Sequence, residues 1–364
     1  MTYGELLNKI DQVLSEAGVE DARFDSSLIA EEFFPDAKED SELDPNIVRQ
    51  CLLAADTVAS GAPVQYVTGK AYFWREKYDV SVGVLIPRSD SETVVEAALA
   101  FCGALDIPQE AYKDIEPSEK DSIEFADVCC GTGCIGISIA NELVSHGIKT
   151  KVHLGDLSDE ALVFANKNSE LCKADIDVSK MDITADEVPW TGLDLITANP
   201  PYVTTEEYGE LEDKIKLYEP EMALEAGSDG LKFYKPLAEF AKKALRDGGM
   251  LIAEHGYMQG DAIRKIFEDA GLKGVKTVKD FRATTGSHTG GSDMPGKFFL
   301  YDYKEGDIVK MKKGHPCGSF DWEVILTGAE CRLKCIKCGH TVDMKRAALE
   351  KATVEVKPKT DANG

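Results

Sequence analysis

The sequence predicts an α/β protein: a doubly wound, mostly parallel seven-stranded sheet, with a helical domain before it and a small cysteine-bearing domain after it. Three observations carry that reading. Strand-like runs "FADVCC", "KVHLGD", "IDVSKMD", "LDLITAN" and "GMLIAEH" alternate with helical ones such as "DEALVFANKNSEL" and "GLKFYKPLAEFAKKAL", a pattern that builds parallel sheets flanked by helices. A glycine-rich turn joins the first run to a helix. Four of the ten cysteines crowd between Cys317 and Cys338, beyond the alternating region.

Taken in order, "ELLNKIDQVLSEAG" places Leu6, Ile10 and Val13 on one helical stripe and stops at Gly18. "DSSLIAEEFF" starts at an Asp25 or Ser26 cap. "DPNIVRQCLLAADTVASG" has Asp44 as N-cap, Pro45 at the first helical position and Gly61 beyond the end. These helices make a domain over residues 1–62. "VQYVTGKAYFW" and "YDVSVGVLI" turn to β character and predict a hairpin linker over 63–90. The sheet domain follows over 91–303, closed by the strands "GVKTVKDF" and "KFFLYDY" around a polar, Gly-rich loop. A small domain over 304–356 and a disordered tail over 357–364 complete the chain, and the last dozen residues, "TVEVKPKTDANG", read as frayed or disordered.

Net charge is −24 and uneven. From Tyr303 onward there are 12 Lys/Arg against 9 Asp/Glu, which leaves 29 against 56 in residues 1–302. An acidic body repels nucleic-acid phosphates, so the basic tail is the one piece suited to RNA or ribosome. No run of 18 apolar residues predicts a membrane span, and "MTYGELLNKIDQ" lacks signal-peptide order, so the expected place is the cytoplasm.

"DVCCGTGCIG" follows the first strand of the sheet. Gly131, Gly133 and Gly136 spell G-x-G-x-x-G around Thr132, and Asp156, followed by Leu157, ends the next strand where an acid meets a ribose. There is no Lys-Ser/Thr of a P-loop, which removes nucleoside triphosphates. Asp127, inside the strand ahead of the loop, is unusual for NAD but suits the cationic amino-acid end of S-adenosylmethionine (SAM). Asp182, ending the third strand, is placed to meet an adenine amino group.

The fourth strand delivers "ITANPPYV" to the same rim. Pro200 and Pro201 offer no N–H, so the Asn199 side-chain oxygen and the Pro200 carbonyl stand as acceptors without competing donors. Two acceptors make a cradle for an –NH2 group, and Tyr202 gives a planar amide or base a flat face. An amide nitrogen is a poor nucleophile because its lone pair is delocalised. Holding both hydrogens turns that lone pair toward an electrophile, here SAM's methyl, with no general base needed if the proton leaves afterwards. A similar corner serves enzymes that methylate adenine in nucleic acid; that alternative needs a basic groove, which the acidic body does not offer.

On these residues the chain resembles the HemK/PrmC protein-(glutamine-N5) methyltransferases, which modify the GGQ glutamine of peptide-chain release factors. "AGVEDARFDSSLIAEEFF", "PVQYVTGKAYFW", "GVLIPRSDSETVVE", "DVCCGTGCIGISIA", "LGDLSDEALVFANKN", "ITANPPYV", "YEPEMALEAGSDGLKFY" and "LIAEHGYMQ" look like family blocks in family order over about residues 1–300. The resemblance implies a Rossmann-like SAM-dependent methyltransferase with a helical domain that helps dock the release factor. It implies SAM at Asp127, Gly131, Thr132, Gly133, Asp156, Leu157, Asp182 and Asn199. It implies substrate glutamine on Asn199, Pro200, Pro201 and Tyr202, with Arg88 and Glu92 nearby. Asn168 matches a family asparagine read as a polar helix contact; Glu254 and Gln259 match without a physical role. "PRSDSE" replaces the family's common "PRPETE", and "DMPGKFF" replaces a terminal "DR" pair. These departures leave the chemistry intact and keep a ribosomal-protein glutamine open as an alternative substrate.

In the tail, seventeen residues separate Cys317 from the Cys335-x-x-Cys338 knuckle, a loop length typical of zinc ribbons. Zinc is expected on Cys317, Cys335 and Cys338, with His315 as the fourth ligand ahead of Cys331 or His340. The tail resembles a small, functionally uncharacterised bacterial zinc-ribbon-like family with an "HPCG…W…G…KC..CG" pattern.

Overall fold

Helix α1 (Tyr3–Glu16) opens on a capping box in which the Thr2 hydroxyl accepts the Glu5 N–H at 3.2 Å and the Glu5 carboxylate accepts the Thr2 N–H at 2.9 Å. Its buried stripe is Tyr3, Leu6, Ile10 and Leu14; Val13, one step off that stripe, is half-buried. Helix α2 (Ala22–Phe33) starts earlier than Asp25 or Ser26, and Ser26 lies buried with its hydroxyl donating to the Arg23 carbonyl. Helix α3 (Pro45–Ala59) has the expected Asp44 cap, whose carboxylate accepts the Asn46 N–H at 2.7 Å. "VQYVT" is not extended: Val64–Thr68 forms helix α4, begun by the Pro63 carbonyl accepting from Tyr66 and Val67. Val64 packs into the helical core with Leu6, Ile10, Ile29 and Ala55, and that burial overrides the β preference of the sequence.

The computed structural model describes residues 1–105, 112, 115–118, 120–185, 187–278, 306–311, 319–326, 330–345, 349 and 353–357. Two compact units divide the chain, one of Met1–Thr68 with His288–Gly364 and one of Gly69–Ser287.

In the second unit, β1 (Lys70–Phe73) and β2 (Glu76–Asp79) pair as the expected hairpin, shortened to these strands. Helix α5 (Glu92–Phe101) leads to the main sheet. Its elements in order are β3 (Ser122–Val128), α6 (Cys134–Ser145), β4 (Lys149–Asp156), α7 (Asp159–Asn168), β5 (Asp175–Lys180) and β6 (Leu193–Ala198). Then come α8 (Thr205–Glu210), α9 (Asp213–Tyr218), α10 (Tyr234–Ala244), β7 (Leu245–Ala253) and α11 (Gly260–Asp269). Five strands lie in the order β5-β4-β3-β6-β7, all neighbours parallel. Seven strands were expected; Gly274–Val278 is not a strand, and residues 279–303, which hold the other expected strand, lie outside the described residues.

Alternate residues of the central strand serve two cores. Ile123 and Phe125 pack with Ile137, Ile139, Val152 and Leu154 on one face; Ala126 and Val128 pack with Ile196, Tyr234, Leu237 and Phe267 on the other. From β3 the chain winds one way to β4 and from β6 the other way to β7, so a crevice opens at the carboxyl ends of β3 and β6.

In the first unit, β8 (Ile308–Met311), β9 (Asp321–Leu326), β10 (Glu330–Cys335), β11 (Thr341–Lys345) and β12 (Thr353–Lys357) form an antiparallel sheet in the order β11-β10-β9-β8-β12. "TVEVK", expected to be frayed, is the edge strand β12 paired with β8. Val309, Trp322, Val324, Cys331, Leu333 and Cys335 bury one face. Arg332, at the opposite parity, forms a bidentate ion pair with Glu31 of α2.

Helix α6 can lie against the sheet only because Gly136 has no side chain: a Cβ there would stand 2.5 Å from Leu154 Cδ2 and 3.0 Å from Asp127 Cβ. Gly136→Ala is expected to lower stability by about 1–3 kcal/mol, the usual cost of overpacking, read as a lower urea midpoint with an unchanged slope.

Candidate active site

The strand order brings two loops to one rim. After β3, the glycine loop turns through Gly131 (φ +55°) and Gly133 (φ +79°) into α6. Asp127 does not face a crevice. It is fully buried, its carboxylate accepting the Thr197 hydroxyl at 2.7 Å and the Gly136 N–H at 3.0 Å. Burial pushes its carboxyl up to about 7, against the pull of those two bonds. It therefore fastens the loop's helix to β6.

Asp156 ends β4 with one oxygen accepting the Gly131 N–H at 2.8 Å and the other the Ser158 N–H at 2.9 Å; burial raises its carboxyl above the usual range. Thr132 is buried, while Leu157 is exposed beside Asp156. Asp182 accepts from the Thr184 hydroxyl and N–H, bonds that lower its carboxyl. The three predicted acids thus border the carboxyl ends of adjacent strands. Asn168 is a polar contact, as read, but a demanding one. Fully buried, it accepts the Asp79 N–H and donates to the Asp79 and Thr132 carbonyls, tying hairpin and loop together.

After β6 comes the proline corner. The Asn199 amide nitrogen donates to the Ser91 hydroxyl at 3.0 Å, which leaves its oxygen for another donor. Pro200 and Pro201 are buried, and no donor among the described residues reaches the Pro200 carbonyl. The Tyr202 hydroxyl donates to Glu254 at 3.2 Å; burial, then the Glu254 charge, raises its phenol well above the ordinary range. Leu85, Arg88, Asn199, Tyr202, Val203, Ala223 and Leu224 line one cleft at this point.

Arg88 enters that cleft already paired. Its guanidinium donates to both oxygens of buried Glu219 at 2.5 Å. Glu92 is not at the cleft lining: its carboxylate accepts the Trp74 N–H at 2.9 Å and anchors the hairpin turn to α5. Ser91 and Glu219 were not read from the sequence. A retained hydroxyl in "PRSDSE", at the threonine of the family's "PRPETE", was the available signal for Ser91; the acid of "YEPEMAL" was the signal for Glu219.

Of the expected zinc ligands, His315 and Cys317 lie outside the described residues. Cys335 is buried in the sheet core and Cys338 is exposed; the turn between them is closed by the Gly339 N–H donating to the Cys335 carbonyl at 2.9 Å. Among the described residues no three His, Cys, Asp or Glu side chains converge as a metal site.

Residues 113–215 match the family model "Methyltransferase small domain", and residues 303–356 match "Bacterial protein of unknown function (DUF951)". Among the similar proteins are relatives named "Release factor glutamine methyltransferase". That of Clostridium acetobutylicum is 29% identical over 290 residues, covering 77% of this chain and 95% of the relative. That of Bacillus subtilis (strain 168) is 34% identical over 223 residues, covering 60% and 72%, and that of Lactococcus lactis subsp. lactis 34% over 207 residues, covering 57% and 68%.

The chain belongs to the release factor glutamine methyltransferase family.

Membership makes this chain an enzyme. Within this release factor glutamine methyltransferase homologue, Asp127 supports both loops, and its ionisation bears on stability. Its folded pKa of about 7 stands above the ordinary carboxylate value. The folded state therefore binds its proton more tightly than the unfolded state. Its contribution is fully present below about pH 4 and is lost as pH rises toward 7. Asp127→Asn should remove that decline, so urea midpoints measured across this window fall less steeply in the variant than in the wild type.

Proposed function

We propose that this protein transfers the methyl group of SAM to the side-chain nitrogen of the GGQ glutamine of a peptide-chain release factor. The observation that carries the reading is a pair of unspent acceptors, the Asn199 side-chain oxygen and the Pro200 carbonyl, at the crevice beside the glycine loop. The residues present fit the cofactor: a Cβ on Gly131 would meet nothing within 4 Å, so the loop is open there, Asp156 at the end of β4 accepts the Gly131 N–H, and Asp182 follows the end of the neighbouring β5. SAM supplies an electrophilic methyl when bound.

The chain's own residues do the rest. Asn199 and Pro200 accept the two amide hydrogens and turn the nitrogen lone pair out of conjugation. Ser91 fixes which end of the Asn199 amide faces the cleft. Tyr202 offers its ring to the planar amide. Preorganised acceptors stabilise the positive charge that grows on nitrogen, and orientation of this kind supplies roughly 7–11 kcal/mol. The proton leaves to solvent after transfer. The helical domain contributes docking surface for the protein substrate, as the family resemblance implies. Mass spectrometry of a release factor incubated with enzyme and SAM should find one added methyl on the GGQ glutamine, absent with Asn199→Ala; an unmodified factor with wild-type enzyme would refute the reading.

For the C-terminal domain we infer a bound zinc ion on Cys335 and Cys338, with Cys317 and His315 completing the set. What supports it is the Cys-x-x-Cys turn and the shortage of apolar residues in so small a core. Purified protein is expected to carry about one zinc per chain, a stoichiometry drawn from the four-ligand rule, and Cys338→Ser to lose it. Contact of this sheet with RNA or ribosome is the weaker reading, because Lys310 and Lys334 stand opposite Asp321 and Glu323 and the charges alternate.

A further inference from the structure

Gln259 matches a family position to which the sequence assigns no physical role, and it does not line the cleft. A corner made of two prolines has a structural difficulty: with no N–H at Pro200 or Pro201, the backbone there cannot be pinned through its own donors. It has to be held from the carbonyl side or through side chains.

Gln259 meets that need from the start of α11. Its amide nitrogen donates to the Tyr202 carbonyl at 2.8 Å and reaches the Gly230 carbonyl at 3.5 Å, while its amide oxygen accepts the Gly256 N–H at 3.0 Å. Because the oxygen is claimed by a backbone donor, the nitrogen must face the two carbonyls, so the amide has one allowed sense. One side chain thereby joins the loop after β6, the loop before α10 and the loop after β7. The space around it is closed. Gly230 (φ +68°) could carry no Cβ, which would lie 2.1 Å from the Gln259 nitrogen and 2.4 Å from the Tyr202 oxygen. At the other end of the same residue, the Tyr202 hydroxyl is taken by Glu254. Tyr202 is thus fixed at its carbonyl and at its phenol, and the acceptors of Asn199 and Pro200 are fixed with it.

We propose that Gln259 is a positioning residue that sets the place of the proline corner against the glycine loop. The inference rests on the methyl-transfer reading for its catalytic consequence and on the hydrogen-bond geometry for its mechanical one. An amide is needed because the position must donate toward two carbonyls and accept from one N–H. Leucine does neither. A glutamate carboxylate accepts but cannot donate, and it sets a negative charge against both carbonyl oxygens; once protonated it donates again.

The test compares wild type, Gln259→Leu and Gln259→Glu as full-length proteins, with a release factor and SAM as substrates. Two readouts are taken: steady-state methylation across pH, and hydrogen–deuterium exchange of residues 202–205 and 227–232. Gln259→Leu is expected to exchange faster in both segments and to lose about 10–100-fold in kcat, the scale of a small misplacement of reacting groups, with KM for SAM unchanged. Gln259→Glu should regain activity relative to wild type as pH falls and its carboxyl takes up a proton, a response that a purely structural role would not show. Unchanged exchange in Gln259→Leu, an unchanged kcat, or a flat ratio of Gln259→Glu to wild type across pH would overturn the proposal. If wild-type enzyme leaves the release factor unmodified, the functional reading fails by itself, and the exchange arm still decides whether Gln259 holds the corner.

Discussion

A single buried carboxylate holds the two halves of the site in register. Asp127 sits in the central strand with no exposure to water, bonded on one side to Thr197 of β6 and on the other to the Gly136 N–H at the start of α6. Thr197 lies two residues before Asn199, and Gly136 lies three residues after Gly133. The proline corner and the glycine loop are therefore both tethered to one side chain. A buried polar network of this kind costs little when every member is satisfied and much when one is not. That asymmetry keeps the two loops from drifting apart independently.

Around the corner itself, hydrogen-bonding capacity is disposed with the same economy. The prolines remove donors that would compete for the two acceptors, and the surrounding groups satisfy only what the chemistry does not use. Ser91 takes the Asn199 N–H, Glu254 takes the Tyr202 hydroxyl, and Gln259 takes the Tyr202 carbonyl. What is left over, one amide oxygen and one peptide carbonyl, matches the two hydrogens of a primary amide. Arg88 and Glu219 neutralise each other across the cleft wall, so the cleft is not lined by a free cation that would compete for those acceptors.

The C-terminal sheet belongs to the same compact unit as the N-terminal helices, and Arg332 meets Glu31 within it. A bidentate guanidinium–carboxylate pair is directional, so the contact fixes orientation more than it adds stability. The sheet matches a family of unknown function, and its ion pair with α2 joins it to the helices of the same unit.

Much of the fold was legible because its signals are local. The alternation of strand-like and helical runs marked the five sheet strands, the glycine turn marked the loop, and Asp44-Pro45 marked a helix start. The NPPY corner was legible because proline chemistry does not depend on context. Local signals failed where burial outweighed propensity, as in the helix at Val64–Thr68, and where a strand needed a distant partner, as in Thr353–Lys357. The sequence by itself determined which groups could accept, donate or turn. Only the tertiary structure decided that Asp127 bonds both β6 and α6, that Glu92 anchors a hairpin, and that Ser91 and Gln259 converge on one corner. The physical reason is that a hydrogen bond between residues 108 or 57 positions apart exists only after the sheet has set its strand order, and no spacing along the chain records it.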